Sequence, residues 1–407
     1  MNRKHVFLLL FCVAFFIYQY ALRSAIPNVL NEDLQQYFKI NATQIGSLVS
    51  LFYLAYTIMQ IPVGIIMDRI SIKWISTFAF LLFSLGIVMF SFAESYMIAS
   101  IAQIFLGCSA SFAFVLLMKV TNDYFPREKV ALISSIAISA GSLGPVFGSP
   151  MLAYFSSQMP WKNVILAIGL FGISISCLGL IFINDRDIIK SDRNITDIKS
   201  IIEDLKKITK NSQYFWMGLF SMAMLGPVSA FCDAWGISFM IHAYEFSKEQ
   251  AAFVVSFVYA GTIIGGPLVA YLSEVLKSYK KVMIGGSFLL ALLLGLIAFE
   301  HFTIEILCLL LFIAGIVMAS QFLAFPAALS LAPKNLGATL TGVVNTITML
   351  GSTILIWGVG FLIDFSKGNN SNYTITDYKF GMLALIASVI FAMFCAFFVN
   401  AKYPSKK

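Results

Sequence analysis

Long apolar stretches separated by short polar segments make up most of the chain. A transmembrane helix needs roughly 20 mainly apolar residues, and windows of that length predict twelve spans. The predicted spans cover residues 6–30, 44–66, 73–92, 96–122, 130–155, 162–183, 213–241, 248–275, 280–300, 303–329, 336–363 and 377–400. The strands of a membrane β-barrel would be shorter and would alternate apolar with polar residues. The pattern therefore predicts an all-α membrane protein with twelve transmembrane helices.

One long polar connection, residues 184–212, divides the spans into two sets of six. We therefore expect an N-terminal bundle over residues 1–183 and a C-terminal bundle over residues 213–407, joined by a cytoplasmic linker. Inside the linker, apolar residues at helical spacing predict an amphipathic helix on the membrane surface; they are Ile198, Ile201, Ile202, Leu205 and Ile208. A plain linker is the preferred interpretation of this helix, and a partner-binding role is the alternative.

The two sets of spans also resemble each other in sequence. A shift of 206 residues along the chain pairs six residues with identical or similar ones: Gln44 with Gln250, Ser50 with Ser256, Tyr53 with Tyr259, Val63 with Val269, Gly64 with Ala270 and Asp68 with Glu274. Spans 2 and 8 are therefore equivalent positions of an internal repeat. Transporters built from such repeats hold their substrate between them, so we expect two pseudo-symmetric bundles with a central site.

The composition excludes most other classes of protein. Of the 407 residues, 59% are hydrophobic and only 12% are charged, with a mean hydropathy of +0.87, whereas soluble proteins carry about 25% charged residues. The six cysteines lie inside apolar runs without metal-ligand spacing, so neither a disulfide framework nor a metal site is expected. With no nucleophile–base constellation and no ATP motif, we expect a protein that is not an enzyme and has no cofactor.

Basic residues are distributed unevenly among the predicted connections. With the N-terminus placed in the cytoplasm, 20 of the 27 lysines and arginines fall on the cytoplasmic side. Cytoplasmic loops of membrane proteins carry such an excess, so both termini are predicted to be cytoplasmic. The net charge of +7 reflects this orientation and does not indicate a nucleic-acid partner.

The connection between spans 2 and 3 carries a recognisable motif. It reads Gly64-Ile-Ile-Met-Asp68-Arg69-Ile-Ser71-Ile-Lys73, and it resembles the signature of the major facilitator superfamily, with Ser71 in place of a glycine. The resemblance implies two six-helix bundles that rock around a central site. It also implies a conformational latch, formed by Gly64, Asp68, Arg69 and Lys73 together with Glu274 of the second repeat. Small Gly64 would let neighbouring helices approach closely.

Spans 4 and 5 carry two further points of comparison with the superfamily. Gln103 occupies the position of the arginine that relatives carry before Gly107 in span 4, so a proton step assigned to that arginine is in doubt here. In span 5, the glycines and proline of 141–148 are similar to an element associated with antiporters. The preferred interpretation of that element is a packing hinge.

Several short motifs resemble a narrower group, the bacterial phagosomal transporter family. They lie at residues 18–23, 60–64, 119–126, 233–236 and 342–345. This group imports amino acids or nucleosides, so the resemblance implies an importer in the bacterial cytoplasmic (inner) membrane.

Three charged residues lie within predicted spans and not in the first or last three positions of a span. Each costs about 2.5–3.5 kcal/mol to insert. Arg23 in span 1 either snorkels to the outer surface or binds a substrate carboxylate through its planar donors. Asp233 in span 7 pairs with Arg23, binds an ammonium group or carries a proton. Lys119 in span 4 forms an i,i+4 pair with Asp123, with a substrate role as the alternative.

Other polar and aromatic residues lie at the depth expected of a central cavity, namely Tyr18, Gln19, Tyr53, Tyr56, Gln60, Ser109, Ser139, Tyr259, Gln321, Asn345 and Trp357. Most of these residues are expected to pack against neighbouring helices and not to bind a solute. The predicted substrate-binding set is Arg23, Tyr53, Gln60, Asp233, Trp235, Tyr259, Gln321 and Asn345, with Asp233 also predicted to couple transport to protons.

A carboxylate on Arg23 and an amine on Asp233 would recognise a zwitterion. The sequence therefore predicts a monomeric secondary transporter that imports an amino acid by alternating access, coupled to the entry of H⁺. A dipeptide is the next candidate solute. Sodium is the alternative coupling ion. The alternatives are a nucleoside or organic-anion carrier, a drug exporter and a non-transporting membrane sensor.

Overall fold

The computed structural model describes residues 3–183, 208, 210–332 and 337–401, and this part of the chain is almost entirely helical. Twelve of its helical segments are long and apolar enough to cross a membrane, which confirms the predicted fold class. The first six are Arg3–Val29, Ala42–Arg69, Ile72–Ser91, Tyr96–Tyr124, Arg127–Gln158 and Trp161–Phe182. A short helix, Asn31–Phe38, connects spans 1 and 2. The amphipathic helix predicted in the linker lies, apart from Ile208, outside the described residues.

The second six spans include two that are interrupted. Span 7 consists of Ser212–Ala230, a π turn at Phe231–Trp235 and Gly236–Tyr244, and span 10 of Ile304–Met318, a 3₁₀ turn at Ala319–Leu323 and Ala324–Leu331. The continuous spans are Lys248–Val275, Tyr279–Phe299, Gly337–Lys367 and Ile375–Phe398. Hydropathy predicts both interrupted spans as single helices, so the two interruptions are features that the sequence pattern does not show.

A proline follows the interruption of span 10. Pro326 has no backbone N–H, and its ring crowds the carbonyl four residues earlier, that of Phe322. The chain tightens just before this point, where the N–H of Ala324 donates to the carbonyl of Gln321 three residues back. Such 3₁₀ turns are common where an α-helix is under local strain.

By its contacts the chain divides into two compact units. Unit 1 contains Met1–Ile40 and Ser47–Arg193, and unit 2 contains Asn41–Gly46 and Asn194–Lys407. The first turn of span 2 therefore belongs with unit 2, and the rest of that span with unit 1. The bundle boundaries given by the sequence analysis remain predictions.

The same helix crossing recurs in each unit. In unit 1, a Cβ added to Gly107 of span 4 would contact the carbonyl oxygen of Phe52 in span 2. In unit 2, a Cβ added to Gly315 of span 10 would contact the carbonyl oxygen of Val258 in span 8. The repeat shift of 206 residues pairs Phe52 with Val258. The predicted pseudo-symmetry is therefore present in the backbone packing, because both crossings need a glycine.

Equivalent helix caps support the same relationship. At the start of span 2, the backbone N–H of Gln44 donates to the side chain of Asn41, and Gln44 Oε1 accepts from the Asn41 N–H. At the start of span 8, Gln250 and Ser247 make the same reciprocal pair. Each capping box satisfies two backbone donors that a helix start leaves free.

Large apolar side chains cover much of the outer surface of the described helices. Ile181, Phe365 and Ile58 are 72%, 68% and 62% exposed, and many others are similar. Soluble proteins rarely expose contiguous apolar surface of this extent. The surrounding solvent is therefore lipid, as the composition predicts.

Candidate functional site

Arg23 lies in unit 1 between two aromatic rings. Its guanidinium carbon is 4.3 Å from the ring centre of Tyr20 and 5.3 Å from that of Tyr53. Tyr53 is 1% exposed and Arg23 half-buried. Cation–π contacts of this kind hold a guanidinium plane in place. The aromatic faces do not themselves use the hydrogen-bond donors of the guanidinium.

Two more side chains of span 2 extend this cluster. The buried hydroxyl of Tyr56 faces both the Arg23 charge and the Gln60 side-chain amide. The structure thus brings together three predicted residues of unit 1, Arg23, Tyr53 and Gln60. Tyr20 and Tyr56 complete the group and are absent from the predicted set. Their spacing was the available signal, since each lies three residues from a predicted member on the same helix face.

Asp233 occupies the π turn of span 7 in unit 2 and is 1% exposed. Its Oδ1 accepts a hydrogen bond from the hydroxyl of Tyr259 in span 8, itself 3% exposed. The turn depends on the next glycine, because the Gly236 N–H donates to the carbonyl of Phe231 five residues back. A Cβ at position 236 would lie 2.5 Å from that same oxygen. Turns of this type are frequent at functional sites.

The repeat places an equivalent tyrosine beside a charged residue in each unit. Tyr53 and Tyr259 are paired by the repeat, and each contacts the charged residue in the first span of its own unit. Tyr53 offers its ring to the cation Arg23, and Tyr259 offers its hydroxyl to the anion Asp233. A repeated scaffold position has therefore been adapted to opposite charges.

The other predicted residues of unit 2 are more dispersed. Trp235 is 2% exposed, and its indole N–H donates to the Ile356 carbonyl of span 11 at 3.0 Å. Gln321 lies in the 3₁₀ turn of span 10, is 2% exposed, and its Oε1 has no hydrogen-bond partner among the described residues. Asn345 in span 11 is half-buried. Their substrate roles stay predictions.

The predicted latch is only partly visible. At Gly64 a Cβ would meet no described atom within 4 Å, so the close helix approach expected there is not seen. The side chains of Asp68 and Arg69 fall outside what the structure describes. Lys73 lies over the Trp74 ring at 5.5 Å, and Glu274 is exposed.

The glycines of the span 5 element pack against span 1. A Cβ at Gly144 would lie 2.9 Å from the Ala21 nitrogen, and one at Gly148 would lie 2.9 Å from the Ala21 Cβ. This contact fits the packing interpretation of the element. In span 4, Lys119 and Asp123 form the predicted i,i+4 ion pair at 3.5 Å.

The first turn of span 2 is held by span 11 within unit 2. The Asp364 carboxylate accepts hydrogen bonds from the backbone N–H groups of Ala42 and Thr43, at 3.3 and 2.7 Å, and from the Thr43 hydroxyl. Tyr373 donates to the same carboxylate at 2.6 Å. The Tyr373 hydroxyl also accepts from the Ala42 N–H at 3.0 Å. Together with Asn41, which accepts from the N–H of Gln44, these groups satisfy the first three donors of the helix.

Twelve spans in two repeated halves, with charged residues held against aromatic rings and hydroxyls inside them, define a polytopic transporter. The chain matches the family model described as Major Facilitator Superfamily over residues 9–356. It therefore belongs to the Major Facilitator Superfamily. The prediction of a transporter rather than an enzyme is confirmed.

Named relatives agree with this assignment. The chain is 24% identical to the uncharacterized transporter YybO of Bacillus subtilis (strain 168), over 88% of this chain and 86% of that one. It is 22% identical to the probable galactarate/D-glucarate transporter GarP of Escherichia coli (strain K12), over 98% and 94% of the two chains.

A solved structure shares the fold. It is a bacterial homolog of the human lysosomal transporter Spinster in an inward-facing, unoccupied conformation, with a TM-score of 0.77 and 15% identity over 98% of this chain and 97% of that one. The narrower resemblance to the phagosomal transporter family stays a prediction.

Proposed function

We propose that the protein is a secondary active transporter that imports a small carboxylate-bearing solute across the bacterial cytoplasmic membrane by alternating access. The observation that carries this proposal is the Arg23 cluster, a guanidinium held between Tyr20 and Tyr53 inside a membrane span. Keeping a cation at this depth is costly, and a bidentate carboxylate offsets that cost through two charge-assisted hydrogen bonds.

The first candidate within this class is an amino acid. This is the zwitterionic solute that the sequence predicts, and its carboxylate would bind Arg23. Asp233 is also the candidate proton carrier, because it is buried and ionisable and hydrogen-bonded to Tyr259. Proton binding and release at this carboxyl would then drive uptake. The termini are proposed to be cytoplasmic and the working unit a monomer.

The second candidate is an organic anion without an amine. The relative GarP, a probable galactarate/D-glucarate transporter, favours this candidate. Such a solute brings no ammonium group to Asp233, and the Tyr259 hydroxyl already donates a hydrogen bond to that carboxylate. For this solute, Asp233 would serve proton coupling alone.

Uptake by the purified protein in liposomes tests the proposal. Labelled amino acids and organic anions would be supplied with an inward proton gradient, and again with an uncoupler. The variants Arg23→Gln and Arg23→Lys would be run beside Asp233→Asn, with Asp123→Asn as a control acid in the same membrane. We expect saturable uptake of a carboxylate solute that falls at least about 10-fold in Arg23→Gln, since one charged hydrogen-bonding group is worth about 1.5–3 kcal/mol. Arg23→Lys should recover little, because lysine lacks the planar fork.

The outcomes separate the components of the proposal. Carboxylate uptake that survives Arg23→Gln unchanged would remove Arg23 from the site. Uptake that persists in Asp233→Asn with uncoupler present would remove the proton from the mechanism. Preference for neutral nucleosides over every carboxylate would overturn the solute class.

A further inference from the structure

Trp235 lies against span 11 where the first turn of span 2 also packs. Its indole N–H donates to the carbonyl of Ile356 at 3.0 Å, and a Cβ added to Gly46 would lie 2.8 Å from that same carbonyl oxygen. One turn further along span 11, a Cβ added to Gly360 would lie 2.5 Å from the Ala42 carbonyl oxygen and 2.8 Å from Cζ2 of Trp235. The indole and the first turn of span 2 therefore share two positions of span 11.

The groups at this junction are buried and closely packed. Trp235 is 2% exposed, Ile356 is 0% exposed and Ala42 is 1% exposed, and both glycines are buried as well. A side chain on either glycine would overlap a carbonyl oxygen of the facing helix, so the two helices approach as closely as their backbones allow. Interiors packed to this degree transmit displacements instead of absorbing them. A shift of the indole therefore disturbs the contact of residues 42–46 with span 11.

The same tryptophan ends the π turn that carries Asp233. The turn covers Phe231–Trp235, so the carboxylate and the indole are two residues apart in one short segment. The Asp233 carboxylate accepts a hydrogen bond from the Tyr259 hydroxyl of span 8. A proton or a cationic group that neutralises Asp233 weakens this hydrogen bond, because charged acceptors bind more strongly than neutral ones. The backbone that positions the indole then loses part of its support.

The first turn of span 2 is the part of that helix on which transport movements act. Span 2 is one continuous helix, Ala42–Arg69, yet residues 42–46 have their contacts in unit 2 and the remainder has them in unit 1. In the alternating access proposed above, the two units move against each other. The helix must then bend at this turn or release its contact with span 11. Residues 42–46 therefore form a contact that the transport cycle makes and breaks.

We propose that Trp235 is a positioning residue that couples the state of the Asp233 turn to the docking of residues 42–46 on span 11. In this role the indole acts through the backbone of span 11 and not through contact with the solute. The inference rests on the proposed function for the roles of Asp233 and of alternating access. The coupling itself is measured without any solute.

The test is amide hydrogen exchange of the full-length protein in liposomes, read on residues 42–46. The variants are Trp235→Phe, which keeps an aromatic ring but removes the indole N–H, Asp233→Asn, which keeps an acceptor but removes the charge, and the double variant. Trp216→Phe is the matched control, because Trp216 lies in the same span and stacks on Phe398 at 4.7 Å. Exchange in span 3, Ile72–Ser91, serves in each preparation as the reference that separates local loosening from loss of the fold.

We expect Trp235→Phe to speed exchange at residues 42–46 about 5-fold, the effect of one lost hydrogen bond, and Trp216→Phe to leave it within about twofold. Asp233→Asn should speed exchange at the same residues at least about 5-fold, the lower end of the usual coupling between two sites. The double variant should exchange within about twofold of Trp235→Phe alone. The reason is that loss of the indole N–H already interrupts the connection between the turn and span 11.

Two exchange results would overturn the inference. Exchange in Asp233→Asn within about twofold of the wild type would show that the turn and the docking are independent. Effects that multiply to about 25-fold in the double variant would show that Asp233 acts without Trp235.

Uptake of a carboxylate solute gives a separate readout. Coupling predicts that Trp235→Phe lowers kcat with little change in KM, whereas a raised KM with unchanged kcat would make Trp235 a solute contact and refute the positioning role. If no carboxylate enters the liposomes at all, the proposed function fails, and the exchange measurements still decide whether the coupling exists.

Discussion

The contact between Asp364 and the first turn of span 2 makes a quantitative prediction about Asp364→Ala. The substitution removes the acceptor of the Thr43 N–H, of the Thr43 hydroxyl and of the Tyr373 hydroxyl. It also removes one of the two acceptors of the Ala42 N–H, which keeps the Tyr373 hydroxyl. Loss of a helix N-cap costs about 1 kcal/mol, and loss of a negative charge at a helix N-terminus costs about 0.3–1 kcal/mol more. Because Asp364 is half-buried, we expect a total near 2 kcal/mol.

The assay is amide hydrogen exchange of the purified protein, read on residues 42–46. A loss of about 2 kcal/mol corresponds to roughly 30-fold faster exchange. Asp364→Asn keeps an uncharged acceptor and should show a smaller increase. Asp123→Ala, which breaks an ion pair in span 4, should leave these amides unaffected. Exchange in Asp364→Ala within about twofold of the wild type would refute the capping argument.

Three further predictions follow from close contacts and burial. Gly236→Ala would place a Cβ 2.5 Å from the Phe231 carbonyl, so it should disrupt the π turn that holds Asp233 and lower uptake at least about 10-fold; Gly358→Ala, with no described atom within 4 Å, should be tolerated. Gly315→Ala should reduce stability by about 1–3 kcal/mol through overpacking against span 8, seen as a lower melting temperature, whereas Gly295→Ala, which has open space around it, should not. Burial raises the pKa of Tyr373, and its hydrogen bond to Asp364 and the nearby Asp364 and Asp377 charges raise it further. Its contribution to stability is therefore complete below the ordinary phenol pKa of about 10 and is lost only as the pH rises through the higher folded value. Ultraviolet titration near pH 10 should then give equal phenolate signals for wild type and Tyr373→Phe, and a larger wild-type signal would contradict the assignment.

Local patterns predicted the spans and their charged residues well. Each span is identified by about 20 consecutive apolar residues, a property that needs no knowledge of distant contacts. Arg23 and Asp233 stand out for the same reason, since a charge within such a stretch is costly. Tyr53 and Tyr259 indicated the equivalence of spans 2 and 8. The structure adds that each of these tyrosines contacts a charged residue.

Features that depend on residues distant in the sequence could not be predicted in this way. Asp364 caps Ala42 across a sequence separation of 322 residues, and no local pattern links the two. The π turn at Asp233 and the 3₁₀ turn at Gln321 lie inside stretches as apolar as their neighbours, so hydropathy alone predicts continuous helices there. The buried Oε1 of Gln321, which has no hydrogen-bond partner among the described residues, is recognised only when every nearby residue is placed. Hydropathy is summed along one segment, whereas hydrogen-bond satisfaction depends on all the segments that pack around an atom.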